Sequence, residues 1–389
     1  MKTTKRPKSS LRIGLVVPHI FMHRDILPQV IFSPGKLALD LADGLASLGA
    51  DVTLFSPGPV DTSVRNITAD VSYFEQELAA RGDSYLSLLK KHPFTFVTLA
   101  RQVQAELIAK AFALANAGGL DIVHMYTNEE DTALPFAPLC TVPVVFTHHD
   151  PFNFLVKYKN VFPKHKQLNW LSVSLAQRAG MPPGTNWVAN IYHGLDPRRF
   201  TPLAQPSGDY IAYLGRIIQP KGLHVAIAAA KKAQLPLKVA GQHYTGKKDD
   251  YWREQVEPVL DGNIEYIGFI KTDAEKQRFL GNARALVVPS VFDEPFGMVT
   301  IEALACGTPV IGLDSGATSE IISHGKTGFI VPNVNEQAVV NGLAMAMQDA
   351  PSLSRRACRQ AFETRFTLER MCRAHLTVYD KLTKSPNPS

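Results

Sequence analysis

Short, almost continuously apolar runs, each followed by a stretch of helical periodicity, recur along the chain and then start afresh near its middle. RIGLVV (12–17) precedes SPGKLALDLADGLASLG (33–49), in which Leu37, Leu41, Leu45 and Leu48 recur at helical spacing and Gly49 ends the element. DVTLFS (51–56), a long helical stretch from Ser84 to Asn116, DIVHMY (121–126) and VPVVFTHHD (142–150) follow. Strands apolar on nearly every residue, alternating with helices, imply a parallel sheet covered on both faces. Such sheets bind ligands beyond the carboxyl ends of their strands. After the Pro-, Gly- and Asp-rich segment 193–209 come YIAYLGR (210–216), HVAIAAAKKAQ, LKVAGQ (237–242), NIEYIGFI (263–270), ARALVVPS (283–290), TPVIGL (308–313) and GFIVP (328–332). The expectation is an α/β chain of two doubly wound, Rossmann-like domains facing each other across a cleft.

At 389 residues the chain suits two domains of about 150–200 residues each. The spacing predicts a disordered basic tail over 1–10, a first domain over 11–196, a linker over 197–207 and a second domain over 208–365. A final helix, 366–382, is expected to pack back onto the first domain. A composition of 45% hydrophobic and 20% charged residues excludes a disordered chain, and a net charge of +6 gives only a weak preference for anionic partners. No apolar run reaches the ~18 residues of a membrane helix. Lys2, Lys5, Arg6 and Lys8 precede too short an apolar stretch for a secretory signal. Four cysteines (Cys140, Cys306, Cys358, Cys372) lack CxxC or Cys/His spacing, which implies reduced thiols in a cytoplasmic protein and no structural zinc. Residues 85–114 mix Lys and Arg with apolar positions and carry Pro93. They read either as a helix covering the first sheet or as one lying peripherally on the inner face of a membrane. GxGxxG, GxxxxGK[ST] and DxD are absent, which removes the main support for dehydrogenases, P-loop enzymes and metal held by paired aspartates. Nothing points to nucleic acid.

The chemistry concentrates in SVFDEPFGMVTIEALACGTPVIG, residues 290–312. Glu294 and Glu302 are spaced Glu-x7-Glu across a strand-to-helix junction that holds Phe296, Gly297 and Met298. Gly297 permits close backbone approach, and the free amides of a helix start favour an anion. Glu302, one to two turns into the helix, can accept hydrogen bonds from a vicinal diol; read singly, each acid is also compatible with a solvated helix residue or a helix-start carboxylate. A glycosidase pair needs two carboxylates on opposite sides of a sugar, whereas these come from one junction. In YLGRIIQPKGLHVAI (213–227), Arg216 and Lys221 place two cations at the carboxyl end of a strand. Two cations there suit a diphosphate leaving group without a metal.

Together, LGR…KG, EPFGMVTIEALACGTPVIG and GKTGFIV, in this order, resemble the retaining, nucleotide-sugar-dependent glycosyltransferase family 4 of the GT-B fold. The resemblance implies that Arg216 and Lys221 bind the donor diphosphate, Glu302 the ribose hydroxyls and Glu294 the donor sugar. The amides of Phe296, Gly297 and Met298 then contact sugar or phosphate, and Gly268-Phe269-Ile270 lies near the base, with Ile270 the contact and uracil the base. It also implies a metal-independent hexosyl transfer with a UDP-sugar as co-substrate, no other cofactor, and a sugar, lipid-linked or small-molecule acceptor. In the first domain Ser33-Pro34-Gly35-Lys36 is similar to the family's glycine-rich turn, which makes Gly35 a donor contact, although it follows the unusual insert 18–32. DIVHMYTN is similar to a D-x-x-H-x-H stretch, with Tyr126 in place of the second histidine. VFTHHD resembles a T-x-H strand ending, which makes His149 the catalytic candidate, with His148 beside it. Two other readings stay open: a sugar-nucleotide epimerase on the same architecture, and a catalytically silent nucleotide-sugar-binding protein.

Overall fold

The structure is a computed structural model that describes residues 10–126, 129–243 and 250–384. The expected tail thus lies almost wholly outside the described residues. The chain divides into two units: 1–173 with 178–191 and 371–389, and 192–370 with 174–177.

The first unit is built on β1 (Arg12–Val16), α1 (Ser33–Ser47), β2 (Asp51–Ser56), β3 (Arg65–Thr68), α2 (Ser72–Arg81), α3 (Tyr85–Lys91), α4 (Pro93–Asn116), β4 (Ile122–Tyr126), β5 (Val144–Thr147), α5 (Val156–Asn160), β6 (Asn169–Ser172) and β7 (Trp187–Asn190). Its strands are all parallel, in the order β3-β2-β1-β4-β5-β6-β7, so the chain reverses its winding between β1 and β4. β1, β4 and β5 are almost wholly buried because both sheet faces are covered, which is what makes their sequences read as unbroken apolar runs. The stretch 84–116 is two helices, broken at His92 because Pro93 starts the second. Val103, Leu107, Ile108, Ala111 and Phe112 of α4 enter the core, so this segment covers the sheet.

The second unit contains β8 (Ile211–Leu214), α6 (Leu223–Ala233), β9 (Leu237–Ala240), β10 (Ile264–Gly268), α7 (Asp273–Asn282), β11 (Ala285–Val288), α8 (Met298–Ala305), β12 (Val310–Leu313), α9 (Thr318–Ile321), β13 (Gly328–Val331), α10 (Glu336–Asp349) and α11 (Arg355–Arg365). Its parallel sheet runs β10-β9-β8-β11-β12-β13 and reverses between β8 and β11. A capping box, Thr272 with Glu275, starts α7.

α12 (Leu368–Lys384) joins the first unit from Met371 onward. Tyr379 on it hydrogen-bonds Nδ1 of His124 at 2.6 Å, and His124 Nε2 lies 2.7 Å from Thr147 Oγ1. The domain limits need correction. Residues 192–196, expected in the first domain, belong to the second: the Leu195 amide donates to Phe366 O, and the Leu368 amide to Leu195 O. Nor is 197–207 a free linker, because Phe200 is fully buried, its carbonyl accepts from Arg359, and Arg199 pairs with Asp273 at 2.8 Å. Among the described residues no helix is long and apolar enough to cross a membrane.

Candidate active site

The winding of the second sheet reverses between adjacent strands β8 and β11, so the loops leaving their carboxyl ends diverge and open a crevice. Lys221 lies on the first loop and Glu294 on the second, and their side chains meet at 2.6 Å. Each loop is fixed by a close approach to a glycine that nothing larger could replace, one on the first loop and one on a neighbouring segment. Gly222 has φ +69, and a Cβ there would stand 2.0 Å from Pro289 O. Gly316, at φ +52, crosses the backbone of Glu294, where a Cβ would stand 2.3 Å from its carbonyl oxygen. The next amide, of Ala317, donates to that carbonyl at 3.0 Å, so the 314–317 loop holds the 291–297 loop in place. Ser290 Oγ donates to the second Glu294 oxygen at 3.1 Å.

α8 begins at Met298, with Gly297 before it at φ +88. The amides of Phe296, Gly297 and Met298 donate to no acceptor among the described residues, so three donors stand open beside Glu294 at the positive end of the helix. The Phe296 side chain anchors this start. It is buried, with its ring centroid 4.9 Å from that of His193 and 6.1 Å from those of Tyr192 and Phe366. Glu302 is not a solvated helix residue but is 6% exposed. One of its oxygens accepts from Lys276 at 2.7 Å, while the other is buried without a hydrogen-bond partner. Native proteins rarely leave such an atom unsatisfied, and a ligand hydroxyl would satisfy it. Burial pushes the neighbouring Cys306 thiol up to about 12, so it fills space and is no nucleophile.

Arg216 is exposed and pairs with no carboxylate among the described residues. Its loop is shaped by the buried Tyr213, whose hydroxyl donates to Arg216 O at 3.0 Å. Alongside, β8, β9 and β10 each meet a glycine at their carboxyl ends: Gly215, Gly241 and Gly268. Leu214 is level with Ala240 and Ala240 with Gly268, and the Gly241 amide donates to Gly268 O at 2.9 Å. The three form an edge of main chain without side chains. Half-buried Ile270 lies just past it.

Arg216, Lys221, Ile270, Glu294, Phe296, Gly297, Met298 and Glu302 thus share the carboxyl end of the second sheet and the start of α8. Gly35 and His149 belong to the first unit. The glycine-rich turn expected at 33–36 is instead the first turn of α1. There Gly35 is buried, and a Cβ would meet Met22 Sδ at 2.7 Å, so packing accounts for the glycine. His149 follows β5, half-buried, its ring 4.5 Å from that of Tyr126 in an edge-to-face arrangement. His148 sits among Phe152, Tyr158 and Phe162, and burial lowers it to about 4, so it is a neutral core residue. Sequence reading did not single out Lys276, Tyr192, His193 or Gly316. The run DSGATSE (314–320) was an available signal for the last of these, whereas the Lys276–Glu302 contact, between residues 26 positions apart on separate helices, had none.

Comparison with known proteins bears on the family and the fold. Residues 198–364 match the family model "Glycosyl transferases group 1", a span that contains Arg216, Lys221, Glu294 and Glu302. The chain is 26% identical to a glycogen synthase of Mycobacterium tuberculosis, over 90% of this chain and 92% of that one. It is 23% identical to a phosphatidyl-myo-inositol mannosyltransferase of Mycobacterium leprae, over 87% and 88% of the two chains. Among solved structures, a sucrose-phosphate synthase from Thermosynechococcus elongatus superposes with a TM-score of 0.70 at 19% identity, over 96% of this chain and 99% of that one. HepE from Anabaena, solved in complex with UDP-glucose, superposes with a TM-score of 0.66 at 16% identity, over 96% and 100%.

Proposed function

We propose that this chain, a glycosyltransferase of group 1 with the GT-B fold, moves a hexosyl unit from a UDP-sugar to an acceptor hydroxyl, with retention at the anomeric carbon and without a metal. The observation that carries this reading is the meeting of Lys221 and Glu294 at the switch point of the second sheet, beside three open amides and an exposed arginine. Arg216 grips the donor diphosphate through its planar fork, and Lys221 supplies a point charge once the donor draws it from Glu294. Glu294, so released, accepts hydrogen bonds from the donor sugar. The partnerless Glu302 oxygen accepts from a ribose hydroxyl. The glycine edge and Ile270 leave room for a flat base held through main-chain groups, and the uracil assignment follows the family resemblance and the UDP-glucose bound by HepE.

During transfer the bond between the anomeric carbon and the diphosphate oxygen breaks, and negative charge grows on the leaving group. Arg216, Lys221 and the α8 amides stabilise that charge more as it develops, which lowers the barrier. Side-chain cations and helix amides together can offset the charge of a departing diphosphate without a divalent ion. Glu294 and Glu302 lie on one strand–helix junction, so neither is set to attack from the opposite face. A front-side displacement, in which the departing phosphate accepts the acceptor's proton, retains the anomeric configuration. His149 is the acceptor-side group.

A thermal-shift titration with UDP-glucose and other nucleotide sugars tests the assignment, because stabilisation grows with ligand concentration over Kd. A rise in Tm with a UDP-sugar, abolished in Arg216→Ala, is expected. A nucleotide sugar that stabilises both proteins equally would remove Arg216 from the site.

A further inference from the structure

The first unit carries a wedge of a different kind. Between Asp150 and Asp196 the sequence has no Asp or Glu, and Lys157, Lys159, Lys164 and Lys166 fall in the first part of that span. In the structure this part is a hook held by three buried aromatic anchors. Phe152, Tyr158 and Phe162 are buried to within 2% and pack against one another and around His148. Between the first two anchors, Phe154, Leu155 and Val156 point the other way, 65%, 39% and 72% exposed. Single exposed apolar side chains are ordinary, but three consecutive ones on a fixed turn are selected for contact. The lysines divide by role: Lys157 is held by Glu129 and Asp131 at 2.9 and 3.0 Å, whereas Lys159 and Lys164 are exposed and pair with no carboxylate among the described residues.

We propose that the 153–166 hook docks on an anionic lipid bilayer. Phe154, Leu155 and Val156 enter the headgroup–acyl boundary while Lys159, Lys164 and Lys166 meet lipid phosphates. Charge decides the occupant: an apolar tip alone fits many partners, but a tip backed by Lys159 and Lys164, exposed and matched by no carboxylate among the described residues, complements a negatively charged, part-apolar surface. Docking here is independent of donor chemistry, so bilayer binding and sugar transfer can fail separately.

The test is co-sedimentation of the full chain with vesicles of phosphatidylcholine and phosphatidylglycerol in equal parts, against phosphatidylcholine alone. The protein is expected to pellet with the mixed vesicles and to stay in solution with the neutral ones. Lys159→Gln with Lys164→Gln should lower the partition coefficient about thirtyfold at low salt, and the difference should shrink as salt is added. Phe154→Ser with Val156→Ser should lower it at least about tenfold at any salt. All four side chains are exposed, and an unchanged thermal melt confirms that the variants fold. Failure of the wild type to pellet with the mixed vesicles overturns docking, as does binding by both double variants equal to that of the wild type. So does a wild-type dimer in solution that Phe154→Ser with Val156→Ser converts to monomer, since the apolar tip would then serve a second copy of the chain.

Discussion

Where the first sheet reverses, the loops beyond β1 and β4 bring the His19 ring to 3.8 Å from Glu129; where the second reverses, the loops beyond β8 and β11 bring Lys221 to 2.6 Å from Glu294. The topology is the same and the charge balance is not. In the first unit Glu129 and Asp131 are matched by Lys157 and Arg101, and burial holds His19 neutral, lowered to about 4. Positive and negative groups there cancel. In the second unit one cation is matched, while Arg216 and three amides are left over. A reversal of winding therefore marks where a ligand can enter, and the surplus positive charge left at the second one is what favours the polyanion proposed there.

The largest expected effect separates the units by acid. His19, His148 and His375 are lowered to about 4, and His124 well below its ordinary value, all chiefly by burial in the first unit. Above pH 6.5 they cost nothing. Below it the unfolded chain takes up protons that the folded one refuses, a penalty of a few kcal/mol per imidazole that grows until about pH 4. The first unit should therefore lose structure at higher pH than the second. Fluorescence resolves them, since Trp170 and Trp187 lie in the first unit and Trp252 in the second; coincident transitions in wild type and Trp252→Phe would contradict the difference.

Next, Arg216→Ala should raise the barrier by ~3–4 kcal/mol, seen as a loss of 10²–10³ in kcat, with no change in urea midpoint because the side chain is exposed and unpaired. A fall in stability that matches the fall in rate would mean the arginine is structural. Glu302→Gln should weaken donor binding by ~10–100-fold, the worth of a hydrogen bond to a charged group, measured by calorimetry with the UDP-sugar. An unchanged Kd would show that its partnerless oxygen meets no ribose. Smallest is Arg101→Ala in the balanced cluster of the first unit. A part-exposed pair is worth ~0–1 kcal/mol, so stability and the KM for donor should barely move. A large rise in that KM would place donor contacts where the charges already cancel.

The central strands were legible because burial on both faces leaves them mostly apolar: DVTLFS is β2 to the residue, and TPVIGL and GFIVP contain β12 and β13. β3, β6 and β7 escaped notice. RNIT and WVAN lie at the sheet's edges, only part-buried, and NWLS is too short for alternation to show. α7 escaped notice too, being charged and weakly amphipathic. At the site, residues local to one junction (Glu294, Gly297, Met298) could be placed from spacing. What holds them could not: Gly316 closes on Glu294, and Lys276 on Glu302, through contacts between segments distant in sequence. Gly35 shows the converse hazard, since a glycine that resembles a ligand-binding turn is explained by Met22 and Phe32 packed against it.

The row formed by Gly215, Gly241 and Gly268 has an evolutionary corollary. A ledge made of peptide groups presents no side chain for point mutation to reshape, and at its centre Gly241 cannot gain a methyl, which would stand 1.9 Å from Gly215 O. A change in the character of that ledge must therefore come from the side chains at its border, such as half-buried Ile270.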